Sequence, residues 1–297
     1  MTMTKGRPMN ESLRPVANPL PGAGPWWEAR ASLAFVERNL YLVRRYWHLE
    51  LAFLIFNVAS AMSVLYIGEA QMQSSGGGSR EGQLDLVLYL GIGTVVWAYL
   101  RAVFANVGEM VAWERWEGTI EYTMMAPISR LAHMLGVSLF SIIYGLARSA
   151  LLLGVLALFF SVDLSNANLG GAAVILLVGS ASFLGFGIMA AVLPLLFPER
   201  GEEMTFVISS ILLLVSGVYY PISVLPDWME PLATVSPATY VLEGMRAALL
   251  EGTPTLALGP SILPILILGA LTLPIGIAIF SWGERYAKRT GRLKRSG

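Results

Sequence analysis

The sequence has no cysteine, only two histidines and few charges: 13% of its 297 residues are Asp, Glu, Lys or Arg, against roughly 25% in an ordinary soluble domain. The missing thiols exclude disulfide frameworks, thiolate metal centres and cysteine nucleophiles. His48 and His133 are too few for a histidine metal cluster. Twenty basic residues balance twenty acidic ones, which removes any general attraction to nucleic acid. The first residues lack the short apolar core and small-residue cleavage site of a secretory signal. Gly, Pro, Asn and Ser scattered over 1–25 predict a flexible tail instead. What is abundant is apolar: 55% of the chain is hydrophobic, more apolar surface than one soluble core of this length can hide.

A membrane helix needs about 20 apolar residues to cross a hydrocarbon core of about 30 Å. Six stretches qualify: Leu49 to Ile67, Leu84 to Ala105, Met134 to Phe160, Leu169 to Phe197, Met204 to Tyr220, and Pro260 to Trp282. The expected fold is therefore all-α and polytopic, with a transmembrane domain over 49–283. Pro194 in the fourth span and Pro264 and Pro274 in the sixth predict kinks whose freed carbonyls must find other donors. The Ser74 to Ser79 run, with three consecutive glycines, reads as a flexible turn. Six spans put both termini on one side. Sixteen of the twenty basic residues fall on that side, with only Arg80 and Arg246 opposite and Arg101 and Arg148 inside spans. The excess of Lys and Arg predicts that the termini, including the basic tail 284–297, are cytoplasmic.

Ahead of the first span, over 26–48, Leu33, Val36, Leu40, Val43 and Trp47 recur at helical spacing while Arg30, Glu37, Arg38, Arg44 and Arg45 occupy another arc. This is the pattern of an amphipathic helix lying in the membrane interface; a helix packed on a soluble partner would show it too. Trp26, Trp27, Tyr41, Tyr46 and Trp47 add rings suited to the headgroup layer. Between spans two and three, the charged stretch from Glu109 to Arg130 contains Glu114, Glu117 and Glu121 at spacings of three and four. On one continuous helix these would share a face, with Gly118 tolerated inside it and Pro127 ending it. A docking helix for a soluble protein and a solvated charged loop both fit. Between spans five and six, Pro221, Pro226, Pro231 and Pro237 punctuate apolar and aromatic residues, predicting short, partly re-entrant helices shielded by the spans.

Three stretches resemble the permease subunits of ABC-2 type transporters. Glu114-Arg115-Trp116-Glu117-Gly118-Thr119-Ile120-Glu121, continuing to Ala126-Pro127-Ile128-Ser129-Arg130, is similar to the family's coupling helix. It departs from the pattern at Trp116, where a charged or small residue is more usual. Ser216-Gly217-Val218-Tyr219-Tyr220-Pro221 is similar to the run that closes span five, and Ser236-Pro237-Ala238-Thr239 through Arg246 to the segment after it. With the interfacial helix and six-span order, the resemblance covers nearly everything after Trp26. It implies a permease in a bacterial plasma membrane that pairs with a second permease chain, alike or different. Each pair would dock separate ATPase subunits through Glu114, Arg115, Trp116, Glu117, Gly118, Thr119 and Glu121. It also implies export of an amphiphile such as a drug, a lipid or a lipid-linked glycan. This chain holds no Gly-x-x-x-x-Gly-Lys-Ser/Thr loop, so ATP and magnesium would sit on the partner and no cofactor on this chain.

Arg148, near the middle of span three, is costly in lipid unless paired or in a wet cavity. It reads either as a cargo site for an anionic headgroup or as an internal structural pair, with Glu243 or Glu109 as the candidate partner. Arg101 lies nearer its span's cytoplasmic end and reads as a snorkelling side chain. Asn57 and Ser216 read as hydrogen-bonding residues between helices. Asn57, Phe53, Trp97, Tyr219 and Tyr220 are further candidates for the translocation path, against a plain packing role. Glu202 and Glu203 suit the N-terminus of span five. Other classes are poorly served. No His-Glu-x-x-His or Gly-x-Ser-Gly motif and no paired aspartates suggest a catalytic site, and the spans lack the carboxylates and internal repeat of an ion-coupled secondary transporter. A non-transporting scaffold of the same fold has no distinguishing sequence mark.

Overall fold

The computed structural model describes residues 24–74, 80–125, 128–160, 166–197 and 199–290, with no strand among them. Its helices are α1 Pro25–Arg45, α2 Trp47–Ser74, α3 Arg80–Trp116, α4 Ile120–Met125, α5 Arg130–Phe160, α6 Leu169–Ala190, α7 Val192–Leu196, α8 Gly201–Val215, α9 Glu230–Val235, α10 Pro237–Leu249 and α11 Gly259–Arg289. Residues 1–23 and 291–297 of the expected tails, 75–79 of the glycine-serine turn, and Ala126 and Pro127 lie outside the described residues.

Among the described residues five helical stretches are long and apolar enough to cross a membrane: Trp47–Gln71, Leu86–Trp116, Ala132–Phe159, Leu169–Leu196 and Thr255–Arg289. They coincide with five of the expected spans. The remaining one is α8, whose 15 residues reach only about 22 Å at 1.5 Å per residue. The outward surface of the bundle is itself apolar, with Phe53, Ile55 and Phe56 on α2, Leu151 and Leu158 on α5, and Leu263 and Leu266 on α11 all exposed. Hydrocarbon accepts such a face and water does not.

The core lies where α3, α6, α10 and α11 meet, filled by Leu100, Phe104, Ile175, Phe183, Val241, Leu242 and Ile265. Lipid offers helices no hydrophobic drive to associate, so close backbone approach and hydrogen bonds carry the contact. Between α6 and α11, a Cβ on Gly276 would lie 2.6 Å from the carbonyl oxygen of Gly185, so only glycine permits this crossing. Beside it Ser182 Oγ donates to the carbonyl of Ile265 at 2.7 Å, and Thr272 Oγ1 to that of Ser182 at 3.2 Å. Asn168 caps α6 by accepting from the amide of Gly171 at 2.9 Å, while its Nδ2 donates to the carbonyl of Thr253 at 2.8 Å. Pro194 interrupts the fourth span as expected: having no N–H for the carbonyl of Ala190, it leaves a break at Ala191, after which the chain resumes as α7. By contrast α11 runs through Pro264 and Pro274 without interruption.

The expected end of the second span at Ala105 is corrected, because α3 continues to Trp116. The buried stripe Leu100, Val103, Phe104, Val107, Val111 persists at helical spacing past the charged boundary and keeps that stretch against the core. The single helix expected over Glu114 to Glu121 is also corrected. Gly118 has φ 74°, and α3 ends there in a Schellman turn, with the amide of Thr119 donating to the carbonyl of Glu114 at 2.8 Å and that of Gly118 to Arg115 at 3.1 Å. Glu114, Glu117 and Glu121 therefore share no helical face. Glu114 belongs to α3, Glu117 to the turn, and Glu121 to α4 by its backbone, its side chain lying outside the described residues.

Candidate functional site

The three-helix junction at the end of α3 is built around Glu114, which is only 1% exposed. It continues the Val107 and Val111 stripe, so the helix itself turns its carboxylate inwards. Arg38 Nη1 of α1 lies 3.0 Å from Glu114 Oε1, and His133 Nε2 of α5 lies 3.4 Å from the same atom. Neighbouring contacts stitch α1 to α5: Ser32 Oγ donates to the carbonyl of Ala132 at 2.9 Å, and the Phe35 and His133 rings sit 4.5 Å apart. Ser129, from the end of the coupling-like motif, accepts from the amide of Ala132 at 3.0 Å as the cap of α5 and donates to Glu28 Oε2 at 2.5 Å. Arg115 Nη1 donates to the carbonyl of Leu195 at 2.6 Å, a cation at the C-terminal end of α7 where the helix dipole favours one.

Glu114 and Arg115 thus support the turn from beneath, while Trp116, Glu117, Tyr122 and Met125 stand exposed on it, Trp116 at 76%. The α1 face that packs on protein carries Glu28, Ser32, Phe35 and Asn39. The apolar stripe of Leu33, Leu40 and Trp47 expected from the sequence stays exposed with Trp26, Trp27 and Tyr41.

Further along the spans, a cavity of 310 Å³ between α2, α3 and α5 is lined by Phe53, Asn57, Arg101, Glu109, Tyr144 and Arg148, among others. The expected partners of Arg148 are corrected here: its Nη1 lies 3.7 Å from Glu50 Oε2 of α2, not against Glu243 or Glu109. Tyr144, one turn before Arg148 on α5, donates to the same Glu50 oxygen at 2.5 Å. Glu50 sits at the very start of an apolar span, and a carboxylate in that place was the sequence signal for it. Arg101 stacks over Phe206 of α8, 5.6 Å from the ring centroid, and lines both this cavity and a smaller one of 180 Å³ between α3 and α8. Asn57 donates to the carbonyl of Phe53 within α2 at 2.7 Å, so it does not bond across helices. Ser216 does, to Ser236 Oγ at 2.7 Å.

The structure brings Phe53, Asn57 and Arg148 together and leaves the other path candidates elsewhere. Trp97 is 7% exposed and packs edge-on against Phe183, 6.4 Å away, in the core; the inward face of α3 holds it there. Tyr219 and Tyr220 lie in the turn after α8, where Tyr220 donates to the carbonyl of Leu214 at 2.5 Å. At that same end Arg246 of α10 clamps the turn, donating to the carbonyls of Gly217 at 3.1 Å and Val218 at 2.8 Å, with its guanidinium 3.4 Å from the ring centroid of Tyr89 on α3. Burial pushes the nearby Glu243 carboxyl up from its ordinary value, and Arg246 pulls it back.

A bundle of long apolar helices with an apolar exterior, a charged turn projecting from one end and a partly polar cavity between spans defines a polytopic membrane protein. The family described as ABC-2 type transporter matches residues 32–250, a range that contains the turn, the cavity and the Arg246 clamp. The chain belongs to that family and is a membrane transport subunit of the permease kind, a kind that lacks an ATPase site of its own and is normally paired with an ABC ATPase. Among curated proteins no sequence matches.

Proposed function

We propose that this chain is the permease half of an ATP-driven exporter of amphiphiles, working as a dimer of permease chains in a bacterial plasma membrane with both termini cytoplasmic. The ATPase, with its ATP and magnesium, is a separate subunit. The observation that carries the reading is the turn at Gly118: exposed Trp116, Glu117, Tyr122 and Met125 stand on a base fixed by Glu114, Arg38, His133 and Arg115. Exposed aromatic and methionine side chains suit the centre of a protein interface and a carboxylate its rim, and a rigid base transmits a push from it into α3, α1 and α5 together. Cargo would pass along the cavity holding Phe53, Asn57 and Arg148. In this reading the placement of α8 as a short sixth span restores the even number that the distribution of basic residues calls for.

The experiment is co-expression with candidate ABC ATPase subunits from the same genome, followed by affinity purification and ATP hydrolysis measurement. Glu117→Arg reverses the charge of an exposed contact residue and should abolish co-purification or stimulated hydrolysis while the permease folds as before. A normal complex with normal turnover in that variant would refute the docking assignment.

A further inference from the structure

Next to the Arg148 cavity lies a second one, of 290 Å³, between α1, the start of α2 and the last turns of α3. Among the described residues four aromatic rings line it, from Tyr46, Phe53, Trp113 and Phe140, together with the carboxylates of Glu50 and Glu109 and no basic residue. The basic groups around it have partners of their own: Arg38 lies on Glu114, Arg148 on Glu50 Oε2 and Arg101 over Phe206, while Arg45 lies over the Tyr46 ring at 5.5 Å. Both contacts to Glu50, from Tyr144 and Arg148, go to Oε2, leaving Oε1 without a partner among the described residues. Glu109 lines this cavity and both of its neighbours and forms no hydrogen bond or ion pair within the described residues.

A separate observation points to an occupant. Asn39 of α1 is 2% exposed and lines the cavity, yet among the described residues neither its Oδ1 nor its Nδ2 has a hydrogen-bond partner. Buried amides are almost always satisfied, and an orphan one marks a place where a polar group belongs.

We propose that this cavity receives the ammonium headgroup of a cationic amphiphile. Ring faces attract a cation through their quadrupole, the carboxylate of Glu109 balances its charge with the open Oε1 of Glu50 beside it, and Asn39 Oδ1 accepts an N–H of the headgroup. Exposed Leu49 and Phe53 at the cavity edge offer the alkyl tail a path along α2. The proposal names the substrate class of the transport route and rests on the permease reading for the movement that follows binding, though not for binding itself.

The test is equilibrium binding of radiolabelled dodecylammonium to the full chain in dodecyl maltoside, without any ATPase. Saturable binding is expected, with dodecyl sulfate failing to compete. Glu109→Gln should weaken it about tenfold or more, the usual scale for losing one partner of a close charge pair. Asn106→Asp, which adds a carboxylate to the same lining, should tighten it, a gain that a merely structural role would not produce. Unchanged affinity in folded Glu109→Gln, absence of tightening in folded Asn106→Asp, or equal competition by dodecyl sulfate would overturn the proposal. Failure to assemble with an ATPase would instead sink the permease reading and leave this binding result standing.

Discussion

The buried carboxylate of Glu114 makes an asymmetric prediction about the junction of α1, α3 and α5. Glu114 is 1% exposed, whereas the Arg38 side chain that pairs with it at 3.0 Å is 34% exposed. Replacing Arg38 by Met keeps the aliphatic stem but leaves a carboxylate that cannot reach water. Orphaning a fully buried charge costs about 3–5 kcal/mol, and with His133 still 3.4 Å away the lower end, about 3 kcal/mol, applies. The reverse change, Glu114→Gln, leaves a neutral amide that can still accept from Arg38, while the guanidinium turns to solvent. That should cost only about 1–2 kcal/mol, the range of one charge-assisted hydrogen bond. Substituting both, Arg38→Met with Glu114→Leu, removes the orphan and should recover much of the loss. Thermal unfolding of the purified chain in detergent, followed by size-exclusion recovery, ranks the variants. Refutation would be Glu114→Gln destabilising as much as Arg38→Met, or a double variant whose loss equals the sum of the single ones.

Gly118→Ala forces a Cβ into a left-handed backbone at φ 74° and should cost about 1–2 kcal/mol, seen as faster proteolysis at the turn between α3 and α4. Arg246→Lys keeps the charge but loses the planar stack on Tyr89 and one of two carbonyl contacts; a loss of about 2 kcal/mol and faster hydrogen exchange around 216–220 are expected. Ser129→Ala removes the cap of α5 and its bond to Glu28, for a loss of about 1 kcal/mol in the same unfolding assay, with Ser129→Thr close to the original.

Five of the six expected spans were legible because apolar runs of their length have one physical solution, and the break at Pro194 because a missing N–H has a local consequence. Gly118 was harder, since a glycine inside a helical charge pattern reads equally as a tolerated interior residue or as the residue after a helix end. The backbone chose the second, and with it Glu114 and Glu117 parted. On α1 the sequence carries two stripes one residue out of register. The apolar one is conspicuous, while Ser32, Asn39 and Glu28 on the other have meaning only once α5 lies beside them. Tertiary register likewise hid the partner of Arg148: nothing local relates residue 148 to residue 50, and only the relative heights of α2 and α5 bring them together.

Scarcity of charge makes each charged residue along these helices a question, and most find an answer in the structure. Glu114 joins three helices, Arg115 holds the end of α7, Arg148 and Glu50 satisfy each other, and Arg101 lies on Phe206. Glu109 has no such account: it lines three adjoining cavities without a hydrogen bond or ion pair among the described residues. A carboxylate held in an apolar bundle for packing alone would be replaceable by Gln at a gain in stability, because its desolvation is uncompensated. Glu109→Gln should therefore melt at the same temperature as the parent chain or higher while losing cation binding, and that opposition of stability and function is what separates a site from a support.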